Sequence, residues 1–446
     1  MRVGGSAHRA CVVFGAMPAP LYRCCHVTVI PRSAYWSFMP RHTYRSTAVC
    51  AVASLLVIPL ISAHGQQAIS RAAAVAAALD NSPRLRLARA DSSAARANVA
   101  LARQFENPIA GASFTRSAPQ VHYTLDVPLD LPWLRRPRIG AALAGLNAAS
   151  TRFIFMRASL AFDVDTAYTR ALVFAGRARL SQRSSRDADS LLILAQFRRD
   201  AGDASQLDVE LATLFAGQSA NTSAADSLDA VSGLLVVQSA MGIAAIAPTI
   251  VLTDSLALDA SAVDASAATS TPLLINAAED DVRSADLSVM FERRRYLATP
   301  SLSLGVESGN PGGPGGALPL VGVSLPLPLF NRNGAATDAA RVAAERARAQ
   351  LAQTRLELEA ALAEARRDAV NARSRATRSA RLVAGADRVA SLSLLAYREG
   401  ASTLPNVLES QRSARETLAQ YLADVAAARN ATALVRLLSL SVTPQP

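Results

Sequence analysis

Few side chains in this sequence of 446 residues could do covalent chemistry, and where they fall leaves that chemistry unassembled. His122 is the only histidine after His64, so neither a catalytic triad nor a metal cluster can be built on it from neighbouring residues. All four cysteines, Cys11, Cys24, Cys25 and Cys50, precede residue 65, which removes thiolate nucleophiles, disulfides and Cys-metal sites from everything downstream. Gly312-Gly313-Pro314-Gly315-Gly316 is glycine-rich but lacks the Gly-Lys-Ser/Thr that brings an ammonium and a hydroxyl to a phosphate, so it reads as a loop between strands. A non-enzyme is expected, with no catalytic, cofactor-binding or metal residues.

The charge points away from nucleic acid as well. The formal net charge is +11, with every one of the 46 basic residues an arginine. Residues 1–65 hold six of them (Arg2, Arg9, Arg23, Arg32, Arg41, Arg45) and no acid, so 40 basic and 35 acidic residues remain, a net of +5. Those signs alternate along helical stretches and read as solvated faces. From Met39 onward the chain carries the marks of an export signal: Arg41 and Arg45, an apolar core from Thr47 to Ile61, and Ala63-His64-Gly65 as a small-x-small cleavage site before Gln66. Residues 1–38 then read as an upstream extension. One later apolar stretch, Ala230 to Leu252, is interrupted by Gln238, Ser239, Gly242 and Pro248 and is expected to be a helix end buried against its neighbours.

The elements that remain are arranged twice. Pro128, Gly202 and Val209 fall 198 residues before Pro326, Gly400 and Val407, a spacing that marks a duplicated domain. In the second half Leu302, Leu304 and Val306 alternate with Ser301, Ser303, Gly305 and Glu307, and a partner strand follows through Leu318, Leu320, Val321, Val323, Leu325 and Leu327, with a slip near Gly322. In the first half Tyr123, Leu125, Val127, Leu129 and Leu131 alternate with His122, Thr124, Asp126, Pro128 and Asp130, after a weaker strand over Pro108 to Arg116. One apolar and one polar face suit either a tilted strand of a membrane barrel or a soluble sheet packed on helices. Four strands cannot close a barrel alone.

Ala335 to Glu399 contains no proline and only Gly385, and unbroken helix of that length would run roughly 95 Å. Arg138 to Ala201 matches it. Helices so long need partners along their length, and alanine at their apolar positions permits close approach in an antiparallel coiled coil. Each ends at a glycine, then a polar turn: Gly202-Asp203-Ala204-Ser205 and Gly400-Ala401-Ser402-Thr403. Glycine supplies the left-handed cap, and Ser205 and Ser402 or Thr403 are expected to cap the following helices.

Over Ile69 to Leu438 the chain resembles the TolC-like outer membrane efflux proteins. The landmarks are Asn81-Ser82-Pro83, Asn107-Pro108, the strand end Val323-Ser324-Leu325-Pro326-Leu327-Pro328-Leu329-Phe330, and two Gly-x-x-x-x-Leu/Pro-x-Val turns. The run Pro326 to Gly334 looks most like the heavy-metal efflux branch. The resemblance implies a mainly α fold with a small β part: two tandem repeats, long antiparallel coiled-coil hairpins, and four transmembrane strands per chain that form a trimeric 12-stranded barrel and an α-helical tunnel. The implied divisions are 1–65 (extension and signal), 66–247 (first repeat), 248–270 (linker), 271–440 (second repeat) and 441–446 (tail). It implies further a homotrimer in the outer membrane, a passive conduit that docks a periplasmic membrane fusion adaptor and a proton- or ATP-driven inner-membrane pump. The adaptor would meet the tips at Gly202, Asp203, Ala204, Ser205, Gly400, Ala401, Ser402 and Thr403. Asp208, Asn406 and Glu409 match the residues that narrow the periplasmic aperture in the family, although Asn406 departs from its acidic pattern. A type I secretion channel and a periplasmic coiled-coil adaptor are the alternatives.

Overall fold

The computed structural model describes residues 67–257, 271–296, 299–309 and 317–441. The signal segment, the cysteines, the tract 310–316, most of the linker and the last tail residues lie outside them.

Among the described residues seven helices and two small sheets follow in the order β1 (Gln67–Ile69), α1 (Arg71–Asn81), α2 (Pro83–Arg103), β2 (Ile109–Phe114), β3 (Val121–Pro128), α3 (Pro132–Asp200), α4 (Gln206–Ala240), β4 (Ile250–Leu252), α5 (Leu273–Arg294), β5 (Ser301–Ser308), β6 (Leu318–Ser324), α6 (Gly334–Arg398) and α7 (Leu404–Leu438). The four expected strands form one antiparallel sheet in the order β2-β3-β5-β6. A parallel pair, β1 with β4, was not legible, because three residues are too few for a periodic pattern.

The two long helices have 69 and 65 residues, about 100 Å each. Near its tip end α3 packs along α4, as α6 packs along α7; farther up, α3 is covered by α2 and α5, and α6 by α5. Small residues make this possible: a Cβ on Gly233 of α4 would stand 3.1 Å from the Cα of Ala171 on α3. Among the described residues α3 alone is long and apolar enough to cross a membrane by length and composition, yet it runs about three times a bilayer's hydrocarbon thickness. The apolar run that begins at Ala230 ends its helix at Ala240, and its Val237 and Met241 are buried with Ile250 in a core.

The offset of 198 residues holds at the tip end: α3 and α6 end at Asp200 and Arg398, and α4 and α7 run from Gln206 and Leu404 to Ala240 and Leu438. It breaks at the sheet end. Pro128 closes β3, but Pro326 lies beyond β6, and Leu325 and Leu327 fall outside that strand. Here α3 begins at Pro132 and carries Pro137 inside, which lacks the N–H for the carbonyl of Trp133; Arg294 Nη1 donates to that oxygen instead at 3.1 Å.

The upper core is organised by Tyr168, fully buried on α3. Its hydroxyl donates to the Ile69 carbonyl at 2.9 Å and accepts from the Asp254 N–H at 3.4 Å. Arg71 lies 5.0 Å above its ring, donates from its guanidinium to the Asp165 carboxylate and to Thr169 Oγ1, and from its backbone N–H to Asp254. This network ties the β1-β4 pair and α1 to the middle of α3.

Candidate functional site

The two hairpin tips are built alike in backbone and differ in side chains. Gly202 and Gly400 take φ of +85° and +75°, the left-handed region in which a side chain is strained. Behind them Asp203 N–H donates to the Arg198 carbonyl and Ala401 N–H to the Ala396 carbonyl, both at 2.8 Å, which closes the helix ends. Ser205 caps α4 in a reciprocal box: its hydroxyl accepts from the Asp208 N–H, and its own N–H donates to Asp208 Oδ2 at 3.0 Å. Thr403 occupies the same place before α7 without a side-chain cap bond, a departure from the expected cap. Pro405 sits in that first turn and Asn406 stands where the first tip has Asp208, so the second turn lacks the acid of the box.

Asp208, Asn406 and Glu409 are thereby separated in role. The carboxylate of Asp208 is committed to the cap of its own helix. Asn406 and Glu409 are exposed on the first turns of α7, Glu409 close enough to Arg412 to interact with its charge.

The tips stand side by side through residues that, apart from the repeat landmark Val407, the sequence did not single out. Leu191 and Ala195 of α3 and Ala212 of α4 are buried with Tyr397, Leu404 and Val407 of the second hairpin. Arg198 Nη1 donates to the Tyr397 carbonyl at 2.7 Å, and the guanidinium lies 4.9 Å from that tyrosine's ring centre. Both residues lie within four positions of a turn glycine, the one signal that could have marked them. Above this contact a cleft of about 190 Å³ opens between α3, α6 and α7, lined by Arg183, Asp187, Asp387, Gln411 and Arg415 among others.

Burial pushes the Tyr397 phenol above its usual 10.0, with Asp208 adding to the shift and Arg198 opposing it. A folded value above the unfolded one means the unfolded chain releases its proton first. The tyrosine's contribution is therefore constant through neutral pH and is lost as pH rises past 10.0. Tyr397→Phe is expected to flatten the fall of the urea midpoint between about pH 9 and 11. Tyr168, also raised by burial, is present in both chains, so the difference between them isolates Tyr397.

At the other end the strand register sorts the sheet into two faces. Tyr123 pairs with Val306, Leu125 with Leu304 and Val127 with Leu302, while β6 adds Val321 and Val323 and β2 adds Ala110, Ala112 and Phe114 to the same face. That face is apolar and exposed: Phe114 is 69%, Tyr123 58% and Val321 73% accessible. The opposite face carries His122, Thr124, Asp126, Ser301, Ser303 and Glu307 along the two central strands, with Ile109 of β2 and Leu318 and Leu320 of β6 on its outer strands. His122, without a partner in the sequence reading, has Glu307 directly across the ladder, with Nδ1 and Oε1 3.2 Å apart; β3 and β5 join residues 185 positions apart. Ser303 donates to the Asp126 carboxylate. A soluble sheet on helices would bury the apolar face, and here it is left open while the polar side chains bond one another.

Long antiparallel helices continuous with an inside-out four-stranded sheet are the architecture of the TolC-like outer-membrane channels, and the chain has that fold. It is similar to the nickel-cobalt-cadmium resistance protein NccC of Alcaligenes xylosoxydans xylosoxydans, 27% identical over 336 residues that cover 73% of this chain and 75% of that one. Among solved structures it superposes on the outer membrane protein VceC from Vibrio cholerae with a TM-score of 0.67 at 17% identity, covering 84% of this chain and 97% of that one. The Campylobacter jejuni CmeC outer membrane channel gives 0.66 at 14% identity, covering 83% and 85%. No family model matches the chain.

Proposed function

We propose that this protein is the outer-membrane channel of a tripartite efflux system, a passive conduit from periplasm to exterior that works as a homotrimer. The observation that carries the reading is the exposed apolar face of the four-stranded sheet, backed by a face that is polar along β3 and β5 and bounded by β2 and β6, whose outer edges pair with no strand among the described residues. In a bilayer an open edge leaves backbone N–H and C=O groups without partners, so the sheet must close. Three copies of a four-stranded sheet give the 12 strands of a barrel whose apolar face meets lipid and whose polar face lines water.

The helices extend the conduit into the periplasm, and the hairpin tips at 202–205 and 400–403 meet the periplasmic adaptor, which links the channel to an inner-membrane pump. The division into repeats at 66–247 and 271–440, joined by 248–270, gives each repeat one strand pair and one helical hairpin. The similarity to NccC favours divalent metal ions as cargo over secreted proteins. Metal ions are here a passing substrate.

The test is reconstitution of the purified protein in planar bilayers, with stepwise, long-lived conductance as the expected result; protein recovered from soluble periplasm without conductance would overturn the reading. Glu409 belongs to the aperture, where copies around a threefold axis bring like charges together and favour cations. Glu409→Gln is expected to lower cation-over-anion selectivity by several-fold. An unchanged reversal potential in a salt gradient would remove Glu409 from the aperture.

A further inference from the structure

His122 is the sole histidine after residue 65, and strand pairing gives it a setting that the channel reading leaves unused. β3 and β5 place it directly opposite Glu307, with Nδ1 and Oε1 3.2 Å apart. The two side chains are 22% and 24% accessible, so both donor atoms are held in place and still within reach of a small ion. Their neighbours in that row of the ladder are Ser113 on β2 and Leu318 on β6, neither of them charged.

The far side of the ring assigns its proton. Nε2 lies 3.4 Å from Oγ1 of Thr115, the residue after the end of β2. The same hydroxyl lies 2.9 Å from the Ser117 carbonyl and 3.0 Å from the Pro119 carbonyl. Carbonyl oxygens only accept, so the hydroxyl's single proton goes to one of these shorter contacts and a lone pair is left for the ring. Nε2 is then the donor of the neutral imidazole, and Nδ1 turns its own lone pair toward the Glu307 carboxylate. Two lone pairs that face each other repel. A second proton on the ring would relieve this, and so would a metal cation between the two atoms.

The spacing accommodates the metal. Bonds of about 2.1 Å from an imidazole nitrogen and a carboxylate oxygen that span 3.2 Å meet at about 100°, between the octahedral and tetrahedral angles. An imidazole nitrogen favours borderline ions such as Zn²⁺, Co²⁺ and Ni²⁺ over Mg²⁺ and Ca²⁺, which take oxygen ligands. The bond from Nε2 to Thr115 is the kind of outer contact that fixes the tautomer of a ligating histidine. With two protein ligands the remaining positions fall to water, and the ion is held weakly.

We propose that His122 and Glu307, oriented by Thr115, form a two-ligand site for a borderline divalent transition-metal ion on the face of the sheet that the conduit turns to water. His122 stands six residues from Pro128, where β3 ends on the side of α3, or about 20 Å along an extended strand. In the proposed channel this is the end away from the periplasmic helices. A cargo ion binds there last before release, and weak binding is what lets it leave. The transit role rests on the channel reading above, whereas the metal site itself does not.

The test is equilibrium dialysis of the full-length protein, purified from outer membranes, against Ni²⁺ with excess Mg²⁺ to occupy ordinary carboxylates. One Ni²⁺ per chain is expected to bind, and His122→Ala is expected to lose it. Glu307→Gln keeps a hydrogen-bonding group opposite the ring and should raise the Kd at least about tenfold; Thr115→Val keeps the shape, removes the acceptor for Nε2–H, and should raise it about tenfold. Asp126→Asn, four residues along the same strand and face, is the control and should bind as the wild type does. The heat-modifiable oligomer of each variant checks assembly, and if His122→Ala fails that check the other two variants carry the comparison. A pair with a merely structural role would leave Ni²⁺ binding unmoved in every assembled variant, which overturns the site. Wild-type protein that conducts in planar bilayers but binds no Ni²⁺ through His122 would overturn the site and leave the channel reading intact. Ni²⁺ binding that needs His122 in a protein that does not conduct would support the site and overturn the channel reading together with the transit role.

Discussion

Leu125→Arg is expected to prevent stable assembly in the outer membrane, at a cost of about 2–4 kcal/mol per copy if the residue sits at mid-bilayer depth. Leu125 lies in the middle of β3, paired with Ala110 on one side and Leu304 on the other, and faces the same way as Tyr123 and Val127. Its side chain is 41% exposed in the single chain, so no protein core is disturbed by the change. The cost arises from placing a guanidinium in hydrocarbon, and in the proposed trimeric barrel each of the three copies carries it. Thr124→Arg, one residue away and on the opposite face, is the matched control and should assemble, because in the proposed barrel a charge on that face remains in water. The measurement is the heat-modifiable oligomer in outer-membrane fractions, together with urea-dependent folding into lipid vesicles. Equal loss in both variants, or normal assembly of Leu125→Arg, would show that the exposed apolar face does not meet lipid.

Tyr168→Ala should be the most damaging change in the helical part, costing about 3–5 kcal/mol, the range for removing a large buried aromatic. Tyr168 is fully buried, and its ring supports Arg71 while its hydroxyl holds the Ile69 carbonyl and the Asp254 N–H. Truncation leaves a cavity and removes the surface beneath a charged group, so α1 and the β1-β4 pair lose their tie to α3. Tyr168→Phe keeps the ring and should cost about 1 kcal/mol, the net worth of an ordinary hydrogen bond. Urea midpoints of the two variants give the comparison. If they fell together, the hydroxyl bonds rather than the packing would be dominant, and if neither moved, the network would be incidental to stability.

The parts of this molecule that were readable in advance are those with a local period or a local break. Period two over Tyr123 to Val127 and over Leu302 to Val306 identified strands, because successive side chains alternate between faces wherever the chain is extended. Absence of proline and near-absence of glycine over Ala335 to Glu399 identified one helix from Gly334 to Arg398. Positive φ at Gly202 and Gly400 was readable because only glycine takes that conformation without cost. The strand ends were less legible: Leu129 to Leu131 and Leu325 to Leu327 continue the alternation past β3 and β6, and the pairing decides where the ladder stops.

The sequence by itself determined the order of the long helices and of the four antiparallel strands and the shared tip geometry, since each depends on residues close together along the backbone. Only the tertiary structure decided what those elements face. Whether an apolar strand face is core or surface depends on what packs over it, and Tyr123, Leu125 and Val321 remain exposed here, with no helix among the described residues packed over the sheet. His122 acquired Glu307 through strand pairing, and Arg198 acquired Tyr397 199 positions away through packing of two hairpin ends. Asp208 became a helix cap because Ser205 lies three residues before it, a pairing open to sequence reading but competing there with the aperture role. Long-range contacts of this kind depend on register and crossing geometry summed over whole elements, and no local pattern of residue types specifies them.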